Sequence, residues 1–165
     1  MKTMLHAGKG MAILFVLVLT FGMICAPIQA KSKGYVFKYK KASVTMHSKA
    51  KKLIKKAGKP SAIKVKKSCA YKGKDRTYKY KDFILYTYSH TEDGEEFVNG
   101  ITFLTSNVST PQGIKIGSTL DQMIKKYGKV KDKFGVYTYK KGKTKLQIEV
   151  TDGIVSNIRY IPTKA

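Results

Sequence analysis

Between Gly113 and Gly128 the sequence GIKIGSTLDQMIKKYG sets apolar residues at Leu120, Met123, Ile124 and Tyr127, the spacing of one helix face. Ser118 stands where an N-cap belongs, Asp121 puts a carboxylate in the first turn, and Gly128 supplies the stop. Seventy residues earlier the pattern recurs: Val44, Met46 and Ser48 align with Ile114, Ile116 and Ser118, and LIKKAGK at Leu53–Lys59 aligns with MIKKYGK at Met123–Lys129. We read this recurrence as a tandem duplication, carried by Ser, Ile, Gly and the apolar spacing more than by lysines in a lysine-rich chain. The first helix is expected over Lys49–Ala57, with Ala50, Leu53, Ile54 and Ala57 on one face and Gly58 and Pro60 ending it.

Elsewhere the period is two. Tyr35–Lys40 and Val44–Met46 alternate as short strands, and a lysine-rich linker then leads to strand-like runs at Arg76–Tyr80, Phe83–Ser89 and Phe97–Thr105. The second copy repeats the layout at Gly135–Lys140, Lys145–Val150 and Ile154–Ile161, with Lys141-Gly142 and Asp152-Gly153 as hairpin turns. Leu146, Ile148 and Val150 share one strand face while Gln147, Glu149 and Thr151 share the other, the signature of a sheet covered on one side. The expected fold is α+β: two tandem repeats, each a helix plus an antiparallel β-meander, forming a curved sheet with helices on one side.

The first thirty residues read as an address. Lys2 and Lys9 form a basic start, Met11–Cys25 is an uncharged apolar run, and Pro27-Ile-Gln-Ala30 ends in a small residue suited to signal peptidase. That run is shorter than the roughly twenty residues a membrane-spanning helix needs. The expected organisation is a signal peptide over 1–30, a first repeat over 31–110 and a second over 111–165, with the processed protein secreted or extracellular, free or cell-wall associated.

Composition narrows the partners. The chain carries 33 Lys and Arg against 10 acids, a formal charge of +23, and loss of Lys2 and Lys9 with the leader leaves it near +21. Such a surface attracts anions, but Arg76 and Arg159 are the only arginines, so the bidentate forks that read base edges are scarce and specific nucleic-acid binding is disfavoured. For an exported chain the nearer polyanions are wall polymers and anionic membrane surfaces. Cys69 is the one cysteine beyond the leader, so no intramolecular disulfide is expected.

Catalytic signatures are wanting. His47 and His90 could nominally pair with Cys69, yet no nucleophile elbow, zinc-helix, phosphate-loop or dinucleotide pattern occurs. Glu92, Asp93, Glu95 and Glu96 gather at one tip without the alternating ligands of a calcium loop. Neither an enzyme, a metal site nor a cofactor is expected. Tyrosine is more informative: Tyr78, Tyr80, Tyr86, Tyr88, Tyr137 and Tyr139 recur two apart on the expected strands, so each pair shares a sheet face. Set on the open face with Lys79 and Arg159 beside them, they would form a partner-binding row for acidic groups; set beneath the helices, they would be core.

The motif GIxIGxTxxxxxxxYG, followed by three strands with a DG turn and preceded by a similar unit, resembles the β-lactamase inhibitory protein-like fold and the SmpA/OmlA lipoprotein domain. The stretch SCAYKGKDRTYKYKDF is similar to uncharacterised tandem-repeat exported proteins and lipoproteins of Gram-positive bacteria. From Val44 to Ile161 the resemblance implies a two-repeat α+β protein that binds on the concave side of its sheet, although the inhibitor's disulfides have no counterpart here and Met23-Ile24 departs from a lipoprotein cleavage site. Two functions stand: an exported protein-binding module (an inhibitor or envelope-assembly factor) for an acidic protein partner, or a polycation held by anionic wall polymers or lipid.

Overall fold

A computed structural model describes residues 34–163; the leader expected over 1–30 lies outside the described residues. The elements run β1 (Phe37–Tyr39), β2 (Ala42–Val44), α1 (Lys51–Ala57), β3 (Ala62–Lys67), β4 (Lys74–Lys79), β5 (Phe83–Ser89), β6 (Glu96–Phe103), α2 (Leu120–Tyr127), β7 (Val136–Lys141), β8 (Thr144–Thr151) and β9 (Ile154–Pro162). β1 and β2 form a small hairpin, and the other strands form one antiparallel sheet in the order β3-β4-β5-β6-β9-β8-β7. Strand accounts for 45% and helix for 12%, which corrects the α+β expectation: the protein is mostly β, and its helices are two-turn segments rather than a layer over the sheet. The physical reason lies in the glycine stops. Gly58 and Gly128 close each helix after 7 and 8 residues, so each presents one fully buried side chain, Leu53 or Met123.

Cross-strand partners on antiparallel strands share a face, and one row runs across the whole sheet: Ile63, Tyr78, Leu85, Ile101, Tyr160, Leu146 and Tyr139. The five central members are buried to 7% exposure or less, and with Tyr139 they belong to a single core cluster that also holds Leu53 and Met123. The β1–β2 hairpin supplies the lid. Phe37 sets its ring 5.2 Å from Phe83, 5.6 Å from Phe103 and 5.9 Å from Tyr160, distances at which tilted aromatic pairs attract. The halves expected to divide at residue 110 thus share one sheet and one core.

β6 and β9, the last strand of each meander, meet at the middle through Ile101↔Tyr160 and Thr102↔Arg159. Bulges then turn both strands aside: Asn99 is the extra residue of β6 and Ser156 that of β9. Beyond the bulge each strand takes a new neighbour. Val98 exchanges bonds with the 47–48 backbone at 2.8 and 2.9 Å, and Val155 does the same with the 117–118 backbone at 2.9 and 2.8 Å. These partners lie seventy residues apart, the offset of the sequence recurrence.

Three local expectations change. Ser48 and Ser118 do not cap helices; their Oγ atoms accept the Thr45 and Lys115 N–H groups, each at 3.1 Å, and hold the turn before each helix. The cap of α2 is Thr119, which forms a reciprocal box with Gln122, whereas α1 begins at Ala50 without a side-chain cap. The expected lysine-rich linker is strand β3, so the first meander has four strands and the second three. β3 is an edge strand exposed along its full length, with Ile63 and Val65 alternating with Lys64 and Lys66.

Leu85 is fully buried at the centre of the row, so Leu85→Ala is expected to lower unfolding free energy by about 2–5 kcal/mol in denaturant titration. The Tyr160 hydroxyl is buried without a hydrogen-bond partner, so Tyr160→Phe is expected to leave the melting temperature unchanged or raise it.

Candidate functional site

The face opposite the core row is uncovered over the middle of the sheet. Its central row runs Lys79, Ile84, Thr102, Arg159, Gln147 and Thr138, and the next runs Lys64, Thr77, Tyr86 and Gly100. A depression of about 430 Å³ opens at the β6–β9 junction, lined by Tyr86, Gly100, Thr102, Asn157, Arg159 and Ile161. Glycine shapes it: a Cβ on Gly100 would stand 3.2 Å from Tyr86 Cδ2 and 3.5 Å from the Tyr160 carbonyl oxygen. The Tyr86 ring therefore lies across bare backbone, the arrangement in which an aromatic neighbour covers a strand glycine. Tyr86 keeps 36% of its surface exposed and lines the depression together with Arg159.

Charge on this face is unbalanced. Lys64, Lys79, Lys140, Lys145 and Arg159 project from it by register, against Glu149 and an Asp75 that is paired with Lys66 at 3.9 Å. The sheet centre thus offers a flat ring, a fork of guanidinium donors and a margin of ammonium groups. Such an arrangement is chemically suited to meeting carboxylate groups, and no nucleophile is set against a base on it. Among the described residues no group of three or more His, Cys, Asp or Glu stands close enough to hold a metal ion, and Cys69 is exposed.

Of the residues expected in the binding row, the structure brings Tyr86 and Arg159 together at the depression and sets Lys79 on the same face, three strands from Arg159. Tyr78, Tyr80 and Tyr139 are corrected to the core, at 7, 5 and 5% exposure, and Tyr137 faces the same side, half-buried against Leu120, Ile124 and Val130. The reason is the amphipathic ring. Tyr78 lies under the sheet rim while its hydroxyl donates to both Glu96 oxygens at 2.9 and 3.0 Å, and Tyr139 donates to the Gly128 carbonyl at 2.9 Å, tying β7 to the end of α2. Glu96 also accepts from Thr87 at 2.6 Å and lies 3.8 Å from Arg76, so this acid of the expected solvated tip holds structure instead. Burial and the Glu96 carboxylate push the Tyr78 hydroxyl well above its ordinary pKa.

Tyr88 projects to the open face but is covered, at 6% exposure. Tyr71 stacks on it at 4.9 Å, His90 and Phe97 lie 5.4 and 5.6 Å away, and its hydroxyl is 3.1 Å from His47 Nδ1. Sequence reasoning missed this cluster because Tyr71 comes from the β3–β4 connection and His47 from the segment paired with β6, neither fixed by strand periodicity. A bulky residue at φ 63° such as His47 is the kind of signal that backbone geometry alone reveals.

Comparison of the chain with protein-family models, curated proteins and solved structures returns no match. The likeness to the β-lactamase inhibitory protein-like fold accordingly rests on the sequence motifs.

Two outcomes are expected. Tyr139→Ala removes a buried ring and the Gly128 bond, so it is expected to destabilise by about 3 kcal/mol, whereas Tyr86→Ala should shift the melting temperature little. His47 is held below its ordinary pKa of 6.5 by burial and by the Lys143 ammonium. In acid the unfolded chain therefore binds the proton first, so the stability tied to neutral His47 is complete above pH 6.5 and is lost as pH falls below it. Melting across that range should show a steeper acid decline for wild type than for His47→Gln.

Proposed function

We propose that the protein is an exported, non-catalytic binding module that holds an acidic protein partner on the open face of its sheet. The observation that carries this reading is the exposed Tyr86 ring, laid over Gly100 and lining, together with Arg159, the depression where the two meanders meet. A flat aromatic and a guanidinium at the centre of a patch, ringed by more solvated lysines, is the composition of an interface hot spot with its rim. Export rests on the leader pattern of residues 1–30. The partner's chemistry follows from the excess of cations on the face, since each unneutralised ammonium favours a carboxylate-bearing surface and repels a basic one.

The alternative is retention by anionic wall polymer through charge alone, favoured by lysines spread over the whole surface. Salt and point variants separate the two. Tyr86→Ala and Arg159→Ala are each expected to weaken a captured acidic protein by about 1–3 kcal/mol while the protein stays folded, and the complex should survive high salt in the wild type. The measurement is pull-down from washed envelopes at low and high ionic strength, followed by titration with the recovered partner. Loss of all binding at high salt, with no effect of either substitution, would replace this reading with charge-driven retention.

A further inference from the structure

Lys133 and Val136 close a tight hairpin turn, each N–H reaching the other's carbonyl at 3.1 Å. Between them Phe134 and Gly135 both have positive φ, 52° and 76°. That combination defines a type I′ turn, whose first position ordinarily takes Asn, Asp or Gly because a bulky side chain is strained there. Phe134 receives no packing in exchange for the strain: its side chain is 92% exposed. A local fold built for stability alone would place asparagine at this position and keep the phenyl ring out of water.

The surroundings are cationic. Lys133 Nζ lies 5.9 Å from the ring centroid, and Lys129 and Lys131 on the approach to the turn are exposed, as are Lys125 and Lys126 in the last turn of α2. Asp132, the acid within the loop, is engaged by the turn itself, its Oδ2 accepting the Gly135 N–H at 3.0 Å. The loop thus sets one apolar ring among lysines with no folded surface beneath the ring.

We propose that the loop Lys129–Gly135 is a docking point for an anionic lipid bilayer, with Phe134 entering the interfacial layer and the lysines meeting headgroup phosphates. Charge complementarity selects an anionic surface, and the ring selects among anionic surfaces. A soluble polyanion satisfies the lysines and leaves the phenyl in water, whereas the boundary between headgroups and acyl chains accommodates both at once. The site is independent of the open-face reading, since it shares no residue with the Tyr86–Arg159 depression.

The chain contains no tryptophan, so Phe134→Trp places a single, selectively excitable tryptophan at the turn. On vesicles of phosphatidylcholine and phosphatidylglycerol in a ratio of about 2:1, its emission is expected to shift to shorter wavelength and to be quenched by brominated acyl chains, with neither effect on phosphatidylcholine alone. Wild type, Phe134→Ala and Phe134→Asn, compared as the same full chain so that the leader contributes equally, are expected to differ about tenfold in vesicle partition, both substitutions losing. Phe134→Asn serves as the folding control, because it relieves the turn and should melt at or above the wild-type temperature while binding poorly. Lys131→Gln and Lys133→Gln should each cost about fivefold. An unshifted emission maximum on anionic vesicles, or equal partition of wild type and Phe134→Asn, overturns the proposal; the second result together with tight binding to soluble polyphosphate identifies the loop as a charge site only.

Discussion

The joint between β6 and β9 is the constraint on which the rest depends. Two residue pairs, Ile101↔Tyr160 and Thr102↔Arg159, convert two meanders into one sheet, and they work on both faces at once. Toward the core, Ile101 and Tyr160 complete the row from Tyr78 to Tyr139 and give Phe37 a surface to cover. Toward solvent, Thr102 and Arg159 form the floor and wall of the central depression. The bulges at Asn99 and Ser156 keep the joint short, because each frees the remainder of its strand to bond the segment leading into a helix. A longer pairing would engage Val98 and Val155 within the β6–β9 ladder and leave the 47–48 and 117–118 backbone without these partners, so the two helix entries would lose their anchor.

Much of the fold was legible because its signals are local. Alternation in FILYTYS and TKLQIEVT identified β5 and β8, the Asp152-Gly153 turn carries positive φ at both residues, and the glycine stops after Ala57 and Tyr127 fall where the sequence placed them. What failed was inference from period to layer. Helical spacing showed that Leu53 and Met123 face inward but not that helices of 7 and 8 residues cover too little to make an α+β layer. AIKVKK read as linker because an edge strand exposed on both faces has no burial pattern to display.

The site was legible in part for a related reason. Spacing of two shows that Tyr78 and Tyr80 share a face, as do Tyr86 and Tyr88, yet which face is core depends on strand register, a non-local property. Register sends the first pair inward and the second outward, and the Tyr71 connection then covers Tyr88 and leaves Tyr86. Arg159 was chosen for its charge alone and reaches the same depression because β9, the last strand in the chain, lies at the sheet centre. Tyrosine proves to be this protein's main rim material: the rings of Tyr78 and Tyr139 fill the sheet margin while their hydroxyls reach Glu96 and Gly128.

Strand β3 ends the sheet with a free backbone edge, and Ile63 and Val65 stand 55% and 51% exposed upon it. The Ser68 N–H bond to the Gly73 carbonyl at 2.9 Å sets the alternation, so the backbone groups of Ile63 and Val65 point away from β4. Such an edge is a template for a second copy of itself. Antiparallel self-pairing would bring the Lys64 and Lys66 side chains of two molecules within about 5–8 Å of one another, closer than or comparable to the screening length of physiological salt. The backbone geometry of this edge thus permits pairing, like-charge repulsion among those lysines opposes it, and neutralising them would weaken that opposition.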